Sequence, residues 1–280
     1  MNVEPIGAFV SDCFNIAGRV VVVTGGLGQL GHQFASELMS RGCRVAVLDL
    51  IKSREQITAR YGDNKTNPAF MFVDADVTSK QGLRSALDRI VGQWGVPYGL
   101  VNNAALDAPP SAPAAETGSF EDYPESSWDK IMEVNAKGVF LACQVFGGAM
   151  ARAGRGSIIN IGSIYGVVSP DQSLYEFRRR NGETFFKPVA YSASKSALYN
   201  LTRYLATYWG GKGVRVNIMT LAGVFNNQDP EFLKLYQLKV PLGRMADEAE
   251  YNGAVVFLLS DASSYMTGSE MKLDGGFTAW

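Results

Sequence analysis

The chain has 280 residues, 46% of them hydrophobic and 19% charged, with a formal net charge of -1. That length supports one large core in a single folded unit, and the balanced charge excludes the basic excess of a nucleic-acid or anionic-membrane binder, leaving small molecules as expected partners. Three widely spaced cysteines (Cys13, Cys43, Cys143) and a single histidine, His32, exclude a disulfide framework, a metal site of the usual His/Cys kind and any mechanism needing a histidine base.

The first 18 residues, "MNVEPIGAFVSDCFNIAG", lack the basic and apolar blocks of a signal peptide, and no apolar run approaches the roughly 18 residues of a membrane span, so a cytoplasmic protein is expected. A first strand, "RVVVVT" (19 to 24), runs into "GGLGQLG". Gly25, Gly28 and Gly31 there let the backbone turn tightly and approach a pyrophosphate at the start of the next helix. That helix, "QLGHQFASELMSRG", stops at Gly42. The second strand, "RVAVLD" (44 to 49), ends on Asp49, 18 residues beyond Gly31. A carboxylate at that point accepts hydrogen bonds from both ribose hydroxyls and repels a 2′-phosphate, which favours NAD over NADP. Lys52 and Arg54 close behind it are read as solvated charge that could soften the preference.

The third strand, "AFMFVD" (69 to 74), leads to "ADV", where Asp76 is the candidate for an adenine edge and an ordinary loop carboxylate is the alternative. A helix "KQGLRSALDRIVGQWG", a strand "YGLVNN" (98 to 103), a long helix from about Ser127 to Arg152, and strands "SIINIG" (157 to 162) and "RVNIMT" (215 to 220) follow. Nearly continuous apolar strands alternating with helices imply an α/β fold, a doubly wound parallel sheet of about seven strands covered on both faces. Two stretches interrupt the rhythm after strand ends, 106 to 127 and 165 to 188, where open sheets of this kind bind ligands. In "VAYSASKSAL", Tyr191 and Lys195 are one helical turn apart on one face. A tyrosine working as a base near neutral pH needs its pKa lowered by about three units, roughly 4 kcal/mol. An ammonium about 4 Å away at an effective dielectric of about 20 supplies that much.

Taken together, "TGGLGQLG", "DADV", "VNNAA", "EVNAKG", "INIGS", "YSASK" and the late "DGG" resemble the short-chain dehydrogenases/reductases over about residues 18 to 277. The resemblance implies a single-domain Rossmann fold over 1–280, with 165–188 as a substrate-loop insert, and nicotinamide-dependent interconversion of a hydroxyl and a carbonyl. Carried over by position, Tyr191 is the catalytic acid/base, Lys195 its partner, Ser163 the hydroxyl steadying substrate and Asn135 the residue completing a proton relay through water. Around the cofactor it implies Gly25, Gly28, Gln29 and Leu30 at the glycine turn, Asp49, then Asp76 and Val77 after the third strand. Asn103 and Ala104 would lie beneath the cofactor, Val224 near the nicotinamide amide, and Tyr191 and Lys195 against its ribose. No metal is implied.

Three features depart from the family pattern. The turn reads TGxxGxxG, as in the longer sugar-nucleotide-modifying branch; Ala222-Gly223 replaces the usual Pro-Gly; and Ser163 and Tyr191 are 28 positions apart, about twice the usual spacing. The stretch between them carries Tyr165, Tyr175, Phe177, Phe185 and Phe186 with Arg178, Arg179 and Arg180. That mixture suits stacking on a sugar or base and forked contacts to phosphate or carboxylate, or else a solvated basic face, with Gly182 as a candidate lid hinge. "IYGVVSPD", "PVAYSASK" and "DGGFTAW" are also similar to bacterial oxidoreductases of flagellin modification and nonulosonic acid sugar synthesis, which implies a sugar or sugar-derived substrate. A polyol, sugar acid or keto-acid is the competing class, and a cofactor-recycling epimerase or a non-catalytic NAD-sensing protein are the competing functions. The apolar helices near 128 to 152 and 190 to 209 are those that family members pair in homodimers and homotetramers, although burial within one chain accounts for part of the pattern.

Overall fold

Short runs of β-branched residues build one parallel sheet in the order β3-β2-β1-β4-β5-β6-β7. Its strands are β1 Val20–Thr24, β2 Arg44–Asp49, β3 Phe70–Asp74, β4 Gly99–Asn102, β5 Gly156–Ile161, β6 Val214–Leu221 and β7 Glu270–Leu273. The computed structural model describes residues 12–50, 53–62, 67–107 and 114–280. Strand order reverses between β1 and β4, so the connections leaving their carboxyl ends diverge to opposite sides and open a crevice there. The register sets Asp49 opposite Asp74 and Asn102 opposite Asn160, aligning the carboxyl ends of four strands along that crevice.

Alternate strand residues feed two cores, which is why the strands read as continuous apolar runs. Val20, Val22, Leu48, Leu100, Ile158 and Val216 pack on one face against α3 (Lys80–Trp94) and α9 (Val189–Trp209). Val21, Val23, Val47, Val101, Ile159 and Met219 pack on the other against α1 (Gln29–Ser40) and α11 (Asn252–Leu259). β7 carries no such apolar run and its residues are only partly buried, hence its absence from the strands read along the sequence.

The remaining helices are α2 Arg54–Tyr61, α4 Ala114–Thr117, α5 Glu125–Met132, α6 Val139–Ala142, α7 Gly148–Ala153, α8 Glu176–Arg180 and α10 Pro230–Gln237. Between α5 and α7 the helical run is unbroken but widens to π winding over Glu133–Gly138 and Cys143–Gly147. Most of its apolar side chains, including Val139, Leu141, Val145, Phe146 and Met150, are buried within the chain.

Polar pegs fix α9 on the sheet. Asn160 Nδ2 donates to Thr202 Oγ1 at 2.9 Å, and Asn160 Oδ1 accepts from Asn102 Nδ2 at 2.9 Å, all buried. Tyr199 Oη donates to the Ser163 carbonyl at 3.0 Å and lies 2.7 Å from Thr220 Oγ1. The helix that carries Tyr191 and Lys195 is thereby indexed to the strand end that carries Ser163.

Candidate active site

The glycine turn forms the first half of the crevice. Gly25 takes a φ of 67°, and a Cβ on it would lie 2.7 Å from Ala104 Cα. A Cβ on Gly31 would lie 2.2 Å from the Gly25 carbonyl, so α1 can close on the turn only without a side chain there. Thr24 Oγ1 accepts from the amides of Asn103 and Ala104 at 3.1 Å each, and Asn103 Nδ2 donates to the carbonyls of Thr24 and Gly25. These bonds tie the ends of β1 and β4 together and hold the turn as a bare backbone cradle.

A cavity of about 710 Å³ extends from this cradle, lined by Gly25, Gly28, Gln29, Leu30, Asp49, Asp76, Val77, Asn103 and Ala104. Asp49 Oδ2 accepts from the Leu27 amide and Oδ1 from the Leu50 amide, both at 2.8 Å, which fixes the carboxylate at the cavity edge with lone pairs to spare. Burial, partly offset by those two amides, holds its pKa above the ordinary value. Asp76 Oδ1 accepts from the amide and hydroxyl of Thr78 at 2.8 Å, so one of its oxygens belongs to a local turn while the residue still borders the cavity. Gln29 Nε2 reaches across to the Phe225 carbonyl at 3.0 Å, bridging the crevice to the loop after β6. Lys52 and the Arg54 side chain lie outside the described residues. A bare turn at a helix start, followed by a fixed carboxylate, fits the pyrophosphate and adenosine ribose of a dinucleotide.

A second cavity, of about 750 Å³, shares Leu30, Asn103 and Ala105 with the first and contains Ser163, Tyr191, Lys195 and Val224. Lys195 is almost fully buried and donates to the Ile161 carbonyl at 2.8 Å, with its Nζ 5.8 Å from the Tyr191 ring centroid. Burial lowers its pKa to about 8, against the opposing pull of the Asp107 carboxylate. Tyr191 behaves contrary to the expectation that the ammonium alone would acidify it. Burial first, then Asp107, push the phenol above its ordinary range, and hydrogen bonding to the Ser163 hydroxyl only partly offsets them. The reason is placement: the ammonium is drawn to a backbone carbonyl, and a carboxylate that the sequence reading did not weigh faces the same phenol.

Asn135 is fully buried in the π-wound segment. Its Nδ2 donates to the Leu106 carbonyl at 2.8 Å and to Ser194 Oγ at 3.0 Å, and its Oδ1 accepts from the Leu106 amide at 2.7 Å. The side chain is therefore engaged in clamping the loop after β4 to α9. Val224 forms a parallel bridge with Ala246, and its carbonyl accepts from Gln228 Nε2 at 2.7 Å; the loop is ordered by these bonds with Ala222-Gly223 in place of Pro-Gly.

The insert lengthens the Ser163-to-Tyr191 connection without separating the two residues, because β5 and α9 position them and the extra chain loops outward. Its Leu174, Tyr175 and Phe185 form a small core with Tyr236, Val240 and Met245 from α10 and the loop beyond it. Contacts within the insert engage two of the three arginines. Arg178 pairs with Glu183 and stacks on Phe185 at 4.0 Å. Arg179 pairs with Glu176 and donates to the carbonyls of Phe185 and Gln172. These two are struts of the insert, and Arg180 alone is a mainly solvated charge, its side chain 78% exposed. Gly182, at φ 85°, follows α8 with its amide on the Arg179 carbonyl, the place of a helix-stopping glycine.

Asp107 and Lys187 were not singled out in the sequence. Lys187 Nζ lies 2.6 and 2.7 Å from the two Asp107 oxygens and 5.3 Å from the Tyr191 ring centroid. Asp107 stands just past the carboxyl end of β4 and Lys187 four residues before Tyr191, positions at which ligand-binding residues of open sheets concentrate.

A family profile described as enoyl-(acyl carrier protein) reductase matches residues 28–278. The D-threitol dehydrogenase of Mycolicibacterium smegmatis is 33% identical over 272 residues, covering 95% of each chain. A short-chain dehydrogenase from Leptospira borgpetersenii, solved with bound NAD+, superposes with a TM-score of 0.83 at 30% identity, covering 99% of this chain and 100% of that one. A gluconate 5-dehydrogenase from Burkholderia cenocepacia, solved with NADP and tartrate, gives a TM-score of 0.80 at 25% identity over 96% and 98% of the two chains. With its seven-stranded sheet, its glycine cradle and relatives matched from end to end, the chain belongs to the short-chain dehydrogenase/reductase family and is an enzyme of that kind.

Proposed function

We propose that the protein is an NAD-dependent dehydrogenase that interconverts a secondary alcohol and a ketone on a polyol or related sugar derivative. The observation that carries this reading is the gathering of Ser163, Tyr191 and Lys195 in a cavity walled by the insert, which shares Leu30, Asn103 and Ala105 with the cavity leading to Asp49. NAD, when bound, supplies the acceptor for the hydride that leaves the alcohol carbon. Tyr191 Oη takes the hydroxyl proton, and Ser163 Oγ holds the same oxygen as it becomes the carbonyl. The alcohol thus loses one hydride and one proton, and the proton passes from Tyr191 to solvent by way of Lys195 and a water relay completed by Asn135.

Burial and Asp107 hold the phenol up, against the acidifying pull expected of the Lys195 ammonium. An oxidised nicotinamide ring bound in this crevice would supply a positive charge that favours the phenolate. Asp49 supports NAD over NADP by its fixed negative charge at the ribose end.

Among the basic side chains lining the substrate cavity in the described residues, Arg178 and Lys187 are each paired with a carboxylate. That pairing favours an uncharged polyol over a sugar acid, keto-acid or phosphate, and the threitol-oxidising relative points the same way. The likeness to flagellin-modification and nonulosonic acid oxidoreductases rests on short motifs and is not carried into this reading.

No helix among the described residues is long and apolar enough to cross a membrane, in keeping with a cytoplasmic enzyme. Exposed Phe140, Tyr204 and Tyr208 on the helical faces support a homodimer or homotetramer; sedimentation as a monomer at micromolar concentration would count against it.

The test is NADH formation by the purified protein against polyols, sugars, sugar acids and sugar phosphates, with Tyr191→Phe as the companion variant. The variant is expected to retain NADH binding and lose about 100-fold or more in kcat, the usual worth of a general acid/base. A variant with full turnover refutes the assignment of Tyr191, and a protein that binds NAD but oxidises nothing favours the sensing alternative.

A further inference from the structure

We propose that Tyr236 and Tyr251 are positioning residues that clamp the Ala222–Gly223 peptide from both ends and so set one wall of the nicotinamide site; this rests on the dehydrogenase reading above. The Gly223 amide donates to Tyr236 Oη at 2.7 Å, and Tyr251 Oη donates to the Ala222 carbonyl at 3.2 Å. The two phenols come from different elements, Tyr236 from α10 and Tyr251 from the short turn Glu248–Tyr251 that leads into α11. Both residues are 2% exposed. In a trans peptide the N–H and C=O point to opposite sides, so a single peptide unit is gripped at each polar end by a buried side chain.

Covalent geometry leaves the orientation of that unit open. Ala222 lacks the fixed φ of a proline, and Gly223 is of the residue type least restricted in φ. The peptides on either side are held by backbone bonds: the Ala222 amide donates to the Leu273 carbonyl at 3.3 Å, and the Gly223 carbonyl accepts from the Ala246 amide at 3.2 Å. The polar ends of the unit between them fall to the two phenols. Turning that plane over would break both bonds at once and strand a buried N–H, the costlier of the two losses.

The surroundings are shaped to let the phenol in. A Cβ on Gly223 would lie 3.0 Å from Tyr236 Oη and 2.4 Å from Met245 Cε, so Tyr236 reaches the amide because residue 223 has no side chain. The Tyr236 ring is held in turn by Phe232 and Phe277, with centroids 5.6 and 5.4 Å away. Phe277 belongs to a terminal turn whose Gly276 and Thr278 amides donate to the Asp274 carboxylate at 2.9 and 3.0 Å. Ala222, Gly223 and Val224 line the cavity that contains Ser163, Tyr191 and Lys195, whereas Asp49 borders the other cavity. The clamp therefore acts at the nicotinamide end of a dinucleotide and not at its adenosine end.

The experiment measures dissociation constants for NADH, by fluorescence titration, and for ADP-ribose, which lacks the nicotinamide, by calorimetry. It uses the wild type, Tyr236→Phe and Tyr251→Phe, each checked by thermal unfolding; both substitutions keep the ring and remove only the hydroxyl. Tyr236→Phe is expected to weaken NADH about tenfold, the scale of one lost buried hydrogen bond, because only molecules with the peptide correctly set accept the ring. ADP-ribose should bind as it does to the wild type. Tyr251→Phe gives a smaller loss in the same sense, about threefold, since a carbonyl tolerates a missing partner better than an amide does. In turnover, kcat/KM for NAD falls in parallel while KM for the alcohol changes little. An unchanged ratio of NADH to ADP-ribose affinity in both folded variants overturns the clamp, as does an equal weakening of the two ligands, and wild-type turnover then leaves the dehydrogenase intact. A wild type that binds neither ligand removes the reading on which the clamp stands.

Discussion

Neutralising Asp107 offers the most direct test of how the protein sets the acidity of its phenol. Asp107 Oδ1 lies 2.6 Å from Lys187 Nζ, itself 5.3 Å from the Tyr191 ring centroid, so the carboxylate is at most about 8 Å from the ring. At about that distance and an effective dielectric of about 20, a unit charge changes the phenolate energy by roughly 2 kcal/mol, or about 1.5 pH units. The Asp107 side chain is half exposed, so screening reduces the expected effect to about 0.5–1 unit.

The sign follows from which charged form the carboxylate favours. It disfavours the Tyr191 phenolate and favours the Lys195 ammonium. In Asp107→Asn the tyrosine becomes more acidic, and Lys195 loses its proton below the value of about 8 that it has with Asp107 in place. Both limbs of the pH profile of kcat/KM for alcohol oxidation should therefore move to lower pH. Stopped-time NADH formation across pH 5 to 10, on any substrate the wild type turns over, measures the displacement. A profile that stays fixed, or one that moves to higher pH, refutes the electrostatic coupling.

Three other perturbations have definite outcomes. Asp49→Ser removes the fixed charge at the ribose end and should raise the ratio of kcat/KM for NADP over NAD by about 10-fold to 100-fold, as expected when a carboxylate no longer repels the 2′-phosphate; an unchanged ratio places discrimination elsewhere. Gly31→Ala forces a methyl to within 2.2 Å of the Gly25 carbonyl, so denaturant unfolding should show a loss of about 1–3 kcal/mol together with weakened NADH binding in fluorescence titration. Phe185→Ala empties a position that is 2% exposed, 4.8 Å from the Tyr175 ring and stacked under Arg178. A loss of about 3–5 kcal/mol in the small core should free the insert to proteolysis and raise KM for the alcohol more than KM for NAD.

Much of the architecture was legible because it depends on local chemistry. Continuous apolar strands require two covered faces, and six strands fall within two residues of the runs that announced them. The glycine turn was readable because close backbone approach demands residues without a Cβ, and Asp49 because it ends the second strand. β7 was not readable as a strand, since at the sheet edge its residues need no apolar run. The role of Asn135 divided in the same way: its type and spacing were visible, but only packing shows its side chain bound to Leu106 and Ser194.

The sequence by itself determined the sheet, the cradle and the proximity of Tyr191 to Lys195, because each follows from the period of a helix or strand and from residues close in the chain. Tertiary structure alone decided what surrounds the phenol. Asp107 and Lys187 are 80 residues apart and meet only when the loop after β4 and the segment leading into α9 converge at the carboxyl end of the strands. That Arg178 and Arg179 brace the insert likewise depends on Glu176, Glu183 and Phe185 folding back on them. Electrostatic energies depend on distance in space and on exclusion of water, and neither is written in the order of residues.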